Sequence, residues 1–158
     1  MSGTSAALRL LEHGLAEQPA PGFAMTSLAA NTWADTGLVA QLPSAGTYDL
    51  DVTVRAALSI DSPANVWIVA RLFDATAGVV VPRSELLVNQ QSVITQAGQP
   101  SIESGDNRTA STALEYQVAT PTSLRLQAAW FAASGTPKVA GIGTDNIGRT
   151  MVRFNRIA

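Results

Sequence analysis

The chain has no cysteine. That excludes a disulfide framework, a thiolate metal site and a cysteine nucleophile, and it leaves packing and hydrogen bonds to hold the fold. His13 is the single histidine, so one copy cannot build a histidine metal cluster or a conventional nucleophile triad; it reads as a solvated surface residue. Charge is scarce as well. Only 14% of the 158 residues are charged and the net charge is −2, so there is neither a basic field for nucleic acid nor an acidic tail. Lys138 is the only lysine among ten basic residues. No stretch approaches the ~20 apolar residues of a membrane span, and the N-terminus lacks the basic and apolar regions of a secretory signal. The expectation is a chain made and used in a soluble compartment, with neither nucleic acid nor membrane as a partner.

What is present is apolar: 46% of the residues. A chain of this length makes one domain with a single core. Little charge on so apolar a chain points to surface hidden against copies of itself or a larger assembly.

Residues 5–17, SAALRLLEHGLAE, place Leu8, Leu11 and Leu15 at helical spacing behind Ser5 as a cap, with Gly14 weakening the pattern. QPAPG, Gln18–Gly22, then breaks any helix. Residues 1–24 are therefore expected to be an arm, with a short helix and a proline-rich linker, ahead of a domain over 25–158. An isolated helix of this length is marginal in water. Its leucines either fray with the terminus or dock onto a neighbouring subunit or a larger assembly.

From residue 25 on, short runs rich in Val, Leu, Thr and aromatics alternate with Gly, Pro, Ser and Asp clusters, the punctuation of an all-β domain. Strands are expected over 27–33, 37–41, 47–60, 66–74, 78–81, 85–96, 110–119, 123–132, 138–142 and 151–157, which is enough for two packed sheets. Tyr48, Leu50, Val52, Val54, Ala56, Leu58 and Ile60 alternate with mostly polar residues, so that set faces a core.

Other strands are apolar on both faces. In VWIVARLFD, Val66, Ile68, Ala70 and Leu72 oppose Trp67, Val69 and Phe73; in LRLQAAWFA, Leu124, Leu126, Ala128 and Trp130 oppose Ala129 and Phe131; near the end, Val152 and Phe154 oppose Met151 and Ile157. A sandwich strand ordinarily has one wet face. The second set (Trp67, Val69, Phe73, Phe131, Met151 and Ile157) is accordingly expected to form a subunit interface, unless a loop or the arm covers it within one copy.

No constellation of catalytic residues emerges, and no cofactor or metal is implied. GIGTDNIG, Gly141–Gly148, lacks the Gly-Lys-Ser/Thr of a phosphate loop and occurs once, so it reads as a turn. Glu103 and Asp106 read as part of a polar loop rather than as an acid/base pair. Tyr116 and Trp33 are the exposed aromatics that carbohydrate could contact.

The succession WADTGL (Trp33–Leu38), LPSAGTY (Leu42–Tyr48), a long alternating strand, VARLFD (Val69–Asp74), YQV (Tyr116–Val118), LRLQ (Leu124–Gln127) and RFNRI (Arg153–Ile157) resembles the jelly-roll domains of the tumour necrosis factor and complement globular-head type found in virion proteins of tailed bacteriophages. The resemblance covers roughly residues 33–158. It implies a two-sheet jelly roll of about ten strands that closes into a homotrimer, with roles as capsid decoration proteins, head fibres or tail-tip modules, none of them enzymes. No collagen-like or coiled-coil stalk precedes the domain, which points away from the secreted signalling relatives. The function implied is capsid decoration: a trimer on the outer surface of the virion shell, made in the host cytoplasm and bound to the major capsid protein. The alternative is a tail or head fibre module whose loops, such as Ile102–Thr112, contact a host glycan.

Overall fold

The computed structural model describes residues 12–95 and 98–158. Among these the chain forms no helix. The strands are β1 (His13–Glu17), β2 (Phe23–Ala24), β3 (Ala34–Leu42), β4 (Gly46–Asp61), β5 (Ala64–Asp74), β6 (Val79–Val80), β7 (Leu86–Val93), β8 (Glu103–Val118), β9 (Thr122–Ser134), β10 (Pro137–Gly143) and β11 (Met151–Arg156).

Two sheets result. The first runs β1-β11-β4-β10-β2 with β8 on the other edge of β4, and the second runs β3-β9-β5-β6 with β7 also on β5. Setting aside the short β2 and β6 and the added β10, the remaining strands pair from the outside of the sequence inward: β1 with β11, β3 with β9, β4 with β8, β5 with β7. One long antiparallel hairpin has thus been rolled up, and the β11–β4 and β9–β5 pairings close the roll. This is a jelly roll.

β4 organises the first sheet because its 16 residues outlast any single neighbour on one side. Tyr48–Thr53 pair with β11 and Arg55–Ile60 with β10, while β8 follows the opposite edge for the whole length. The alternation read from sequence is the alternation of burial: Tyr48, Leu50, Val52, Val54, Ala56, Leu58 and Ile60 are each at most 1% exposed. They meet Val66, Ile68, Ala70, Leu72, Leu124, Leu126 and Ala128 of the second sheet in one core.

Three expectations are corrected. His13–Glu17 is a strand and not the end of a helix; Gly14 faces Phe154 across the β1–β11 pair, and a Cβ on Gly14 would clash with the edge of the Phe154 ring. The residue that weakens a helix is thus the one that lets β1 close on β11. Leu8 and Leu11 lie outside the described residues. Residues 27–33 form turns rather than a strand: Leu28 N donates to Met25 O at 2.9 Å, Asn31 has φ 63°, and Trp130 Nε1 donates to Leu28 O at 3.0 Å. Finally, residues 103–112 are not a loop but the first part of β8, because β4 offers a partner to every residue from Glu103 on without a break in register.

Candidate functional site

The outward side of the second sheet is built by parity. In β5, Val66, Ile68, Ala70 and Leu72 point into the core, so Trp67, Val69, Arg71 and Phe73 point out and are half-buried. The β5–β9 register sets Trp67 opposite Phe131 and Val69 opposite Ala129; β7 adds Gln90 beside Trp67 and Leu87 beside Val69. Trp33, just ahead of β3, completes the row.

The rings pack against each other. Trp67 and Phe131 stack with centroids 6.1 Å apart, and Trp33 meets Phe131 edge-on at 5.9 Å. Much of their partial burial is therefore mutual, and Ala129, opposite Val69 on the same side, is fully buried. Leu87 and Val39 remain 53% and 42% exposed.

A polar belt borders this patch. Arg71 lays its guanidinium 3.9 Å from the Trp33 ring centroid and donates from Nε to Gln127 Oε1 at 3.1 Å. Gln127 Nε2 donates to Asp35 Oδ1 at 2.9 Å, and Arg125 Nη1 reaches Asp35 Oδ2 at 2.7 Å. Partial burial pushes the Asp35 carboxyl up, but the hydrogen bonds from Gln127 and Arg125 and the Arg125 charge outweigh it, holding the group below the usual carboxylate range. Trp33 is thus fixed by a cation on one side and by Phe131 on another.

Of the residues expected at an interface, the structure brings Trp67, Val69, Phe73 and Phe131 onto this face. Met151 is elsewhere: it stands opposite Thr53 and Glu17 on the outward side of the first sheet, beside Arg153 and Asp51. Ile157 follows β11, its N donating to Thr47 O at 2.8 Å, and is 43% exposed. The six residues therefore occupy two different sheets. Leu15, on β1 of the first sheet, is 52% exposed. Trp33, singled out in the sequence only as an exposed aromatic for carbohydrate, is half-buried in this row; Arg71, Gln127 and Leu87 were missed, although Arg71 and Gln127 share the parity of Trp67 and Phe131 and were visible on that count.

The remaining candidates are engaged structurally. His13 is exposed on β1 opposite Asn155. Asp145 accepts Arg55 Nε at 2.7 Å and the amides of Ile147 and Gly148 at 2.8 Å, so Gly141–Gly148 includes a pinned turn; the Arg55 hydrogen bond leads the causes that lower the Asp145 carboxyl. Arg55 also sits in a cleft of about 450 Å3 floored by Ala57 and Gly141 and bounded by Phe23, but its guanidinium is committed to Asp145 and Thr109. Glu103 takes Lys138, whereas Asp106 takes Arg108 and Gln91, so the two carboxylates do not converge. Tyr116 is half-buried and donates to Asp74 Oδ2 at 2.8 Å; burial, then that carboxylate, raise the phenol to about 12.

No protein-family model matches the chain, and no curated protein matches it. Among solved structures, that of the infectious bursal disease virus Gt strain aligns at 9% identity with a TM-score of 0.51, over 99% of this chain and 36% of that one. The Gx strain structure aligns at 13% identity and 0.46, over 94% and 37%. Eiger TNF from S. frugiperda aligns at 11% identity and 0.45, over 95% and 94%. This chain thus spans about a third of the viral chains it matches. At such identities the shared feature is the fold, an all-β jelly roll.

Proposed function

We propose that the chain is a structural component of a virion, a capsid decoration protein that assembles as a homotrimer through the outward face of its second sheet and binds the major capsid protein on the outer surface of the shell. The observation that carries this reading is the aromatic row Trp33–Phe131–Trp67, continued by half-buried Val69 and exposed Leu87 on the outward side of the second sheet. A likeness in fold to a virus structure supports the virion setting. Function on this account is contact area rather than turnover of a substrate. Three linked footprints per trimer raise effective affinity, so each contact with the shell can be weak.

The glycan-binding alternative loses the loop on which it rested, since residues 103–112 belong to β8, and Tyr116 commits its hydroxyl to Asp74.

Cryo-electron microscopy of virions carrying wild-type protein or Trp67→Asp tests the reading. Trimeric density on the outer shell, lost in the variant while the shell persists, is expected. Density at the tail instead, or undiminished shell density in the variant, would contradict it.

A further inference from the structure

We propose that β8 pairs with the β8 of a second copy of this chain, antiparallel, about a twofold axis that sets Thr112 opposite Thr112. β8 is 16 residues long and among the described residues has one ladder partner, β4. Its other edge is partly sealed by β7: Asn89 Nδ2 donates to Asp106 O at 3.2 Å, Gln91 Nε2 to Asp106 Oδ1 at 2.7 Å, and Ser104 Oγ to Gln91 Oε1 at 2.9 Å. These bonds stop at Asp106.

From Thr109 to Gln117 every residue is exposed or half-buried. Edge strands are ordinarily guarded by proline, lysine, a bulge or short length. The stretch TASTALEYQ has no proline and no lysine, and its register with β4 is unbroken. Such an edge offers a row of unsatisfied backbone groups to another strand.

Self-pairing is constrained by the pleat, since residues directly opposite must share a face and hence a parity. Centring on Thr112 places Ala110 opposite Leu114 of the second copy and Arg108 opposite its Tyr116 on the inward side, with Thr109 opposite its Glu115 and Ser111 opposite its Ala113 outside. No like charges meet, and the centre is a Thr–Thr pair, which is favourable across strands. Centring on Glu115 would oppose two carboxylates, and centring nearer Asp106 would displace β7. The contact leaves the aromatic face untouched, so it stands or falls separately from the proposed trimer. If both hold, it joins one trimer to the next.

The absence of cysteine supplies a clean test. In this register two Thr112 Cα atoms lie about 4.5–5.5 Å apart, within disulfide reach, whereas two Ala110 Cα atoms are four residues out of step, about 14 Å. The single variants Thr112→Cys and Ala110→Cys are each oxidised at micromolar concentration and resolved on a denaturing gel without reductant, after their melting curves under reducing conditions have been matched to wild type. Thr112→Cys is expected to run largely as a reducible covalent dimer and Ala110→Cys as a single chain. Equal cross-linking of the two, or none in either, overturns the proposal.

Discussion

Leu126 is fully enclosed between the sheets, in contact with the β4 core. Replacing it by alanine removes buried methyl groups and leaves a void that β-strands held on both sides cannot close, so Leu126→Ala is expected to cost about 2–5 kcal/mol in urea unfolding. Val139, 47% exposed on β10 of the first sheet, should tolerate alanine with a change within about 0.5 kcal/mol. Asp35, Asp106 and Asp145 all have carboxyls held below their ordinary value of 3.8. They therefore stabilise the fold above that value, and the contribution disappears as pH falls below it. At the other extreme, the Tyr116 phenol is raised from 10.0 to about 12, so its contribution is complete below pH 10.0 and is lost as pH climbs through about 12. Thermal unfolding across pH checks both limbs: Asp145→Asn should flatten the acid one and Tyr116→Phe the alkaline one, each leaving the other unchanged.

Elements were legible where one strand carries its own period. β4 alternates apolar and polar residues over most of its length, and that pattern sets its register and inner face before any partner is known. The same logic reached its limit at β11. Period two separates the two sides of a strand but not the layer it joins. Met151 therefore resembled Trp67 in sequence, yet pairing with β4 places it on the first sheet. β1 was misread because leucines three and four apart mimic a helix, whereas its structure comes from β11, more than a hundred residues away in sequence. That origin predicts its weak point: Gly14→Val should drive the Phe154 ring out and detach β1, seen as faster hydrogen exchange at His13–Glu17 and Met151–Arg156 while β5 and β9 stay protected. Residues 103–112 looked like a loop because their polar side chains belong to an edge strand, tied to Asn89 and Gln91 only as far as Asp106 and exposed or half-buried beyond it.

For the whole molecule, the aromatic face sets the scale of the assembly energy. Taken as fully exposed, Trp67, Phe73 and Phe131 would contribute on the order of 10 kcal/mol on burial. All three are already half-buried, Trp67 and Phe131 partly by each other, so the gross gain left for association is a few kcal/mol from these rings, and Leu87, Val39 and Trp33 must add to it. The proposed trimer would on these terms be a reversible one, held together at micromolar concentration only if those residues offset the cost of association. Light scattering on the purified protein at micromolar concentration tests this most directly. The account predicts three times the 16.5 kDa chain mass, or twice that trimer where β8 edges also join, and a collapse to single chains or β8-linked pairs in Trp67→Asp. A wild-type mass equal to one chain, or a Trp67→Asp mass unchanged from wild type, would contradict it.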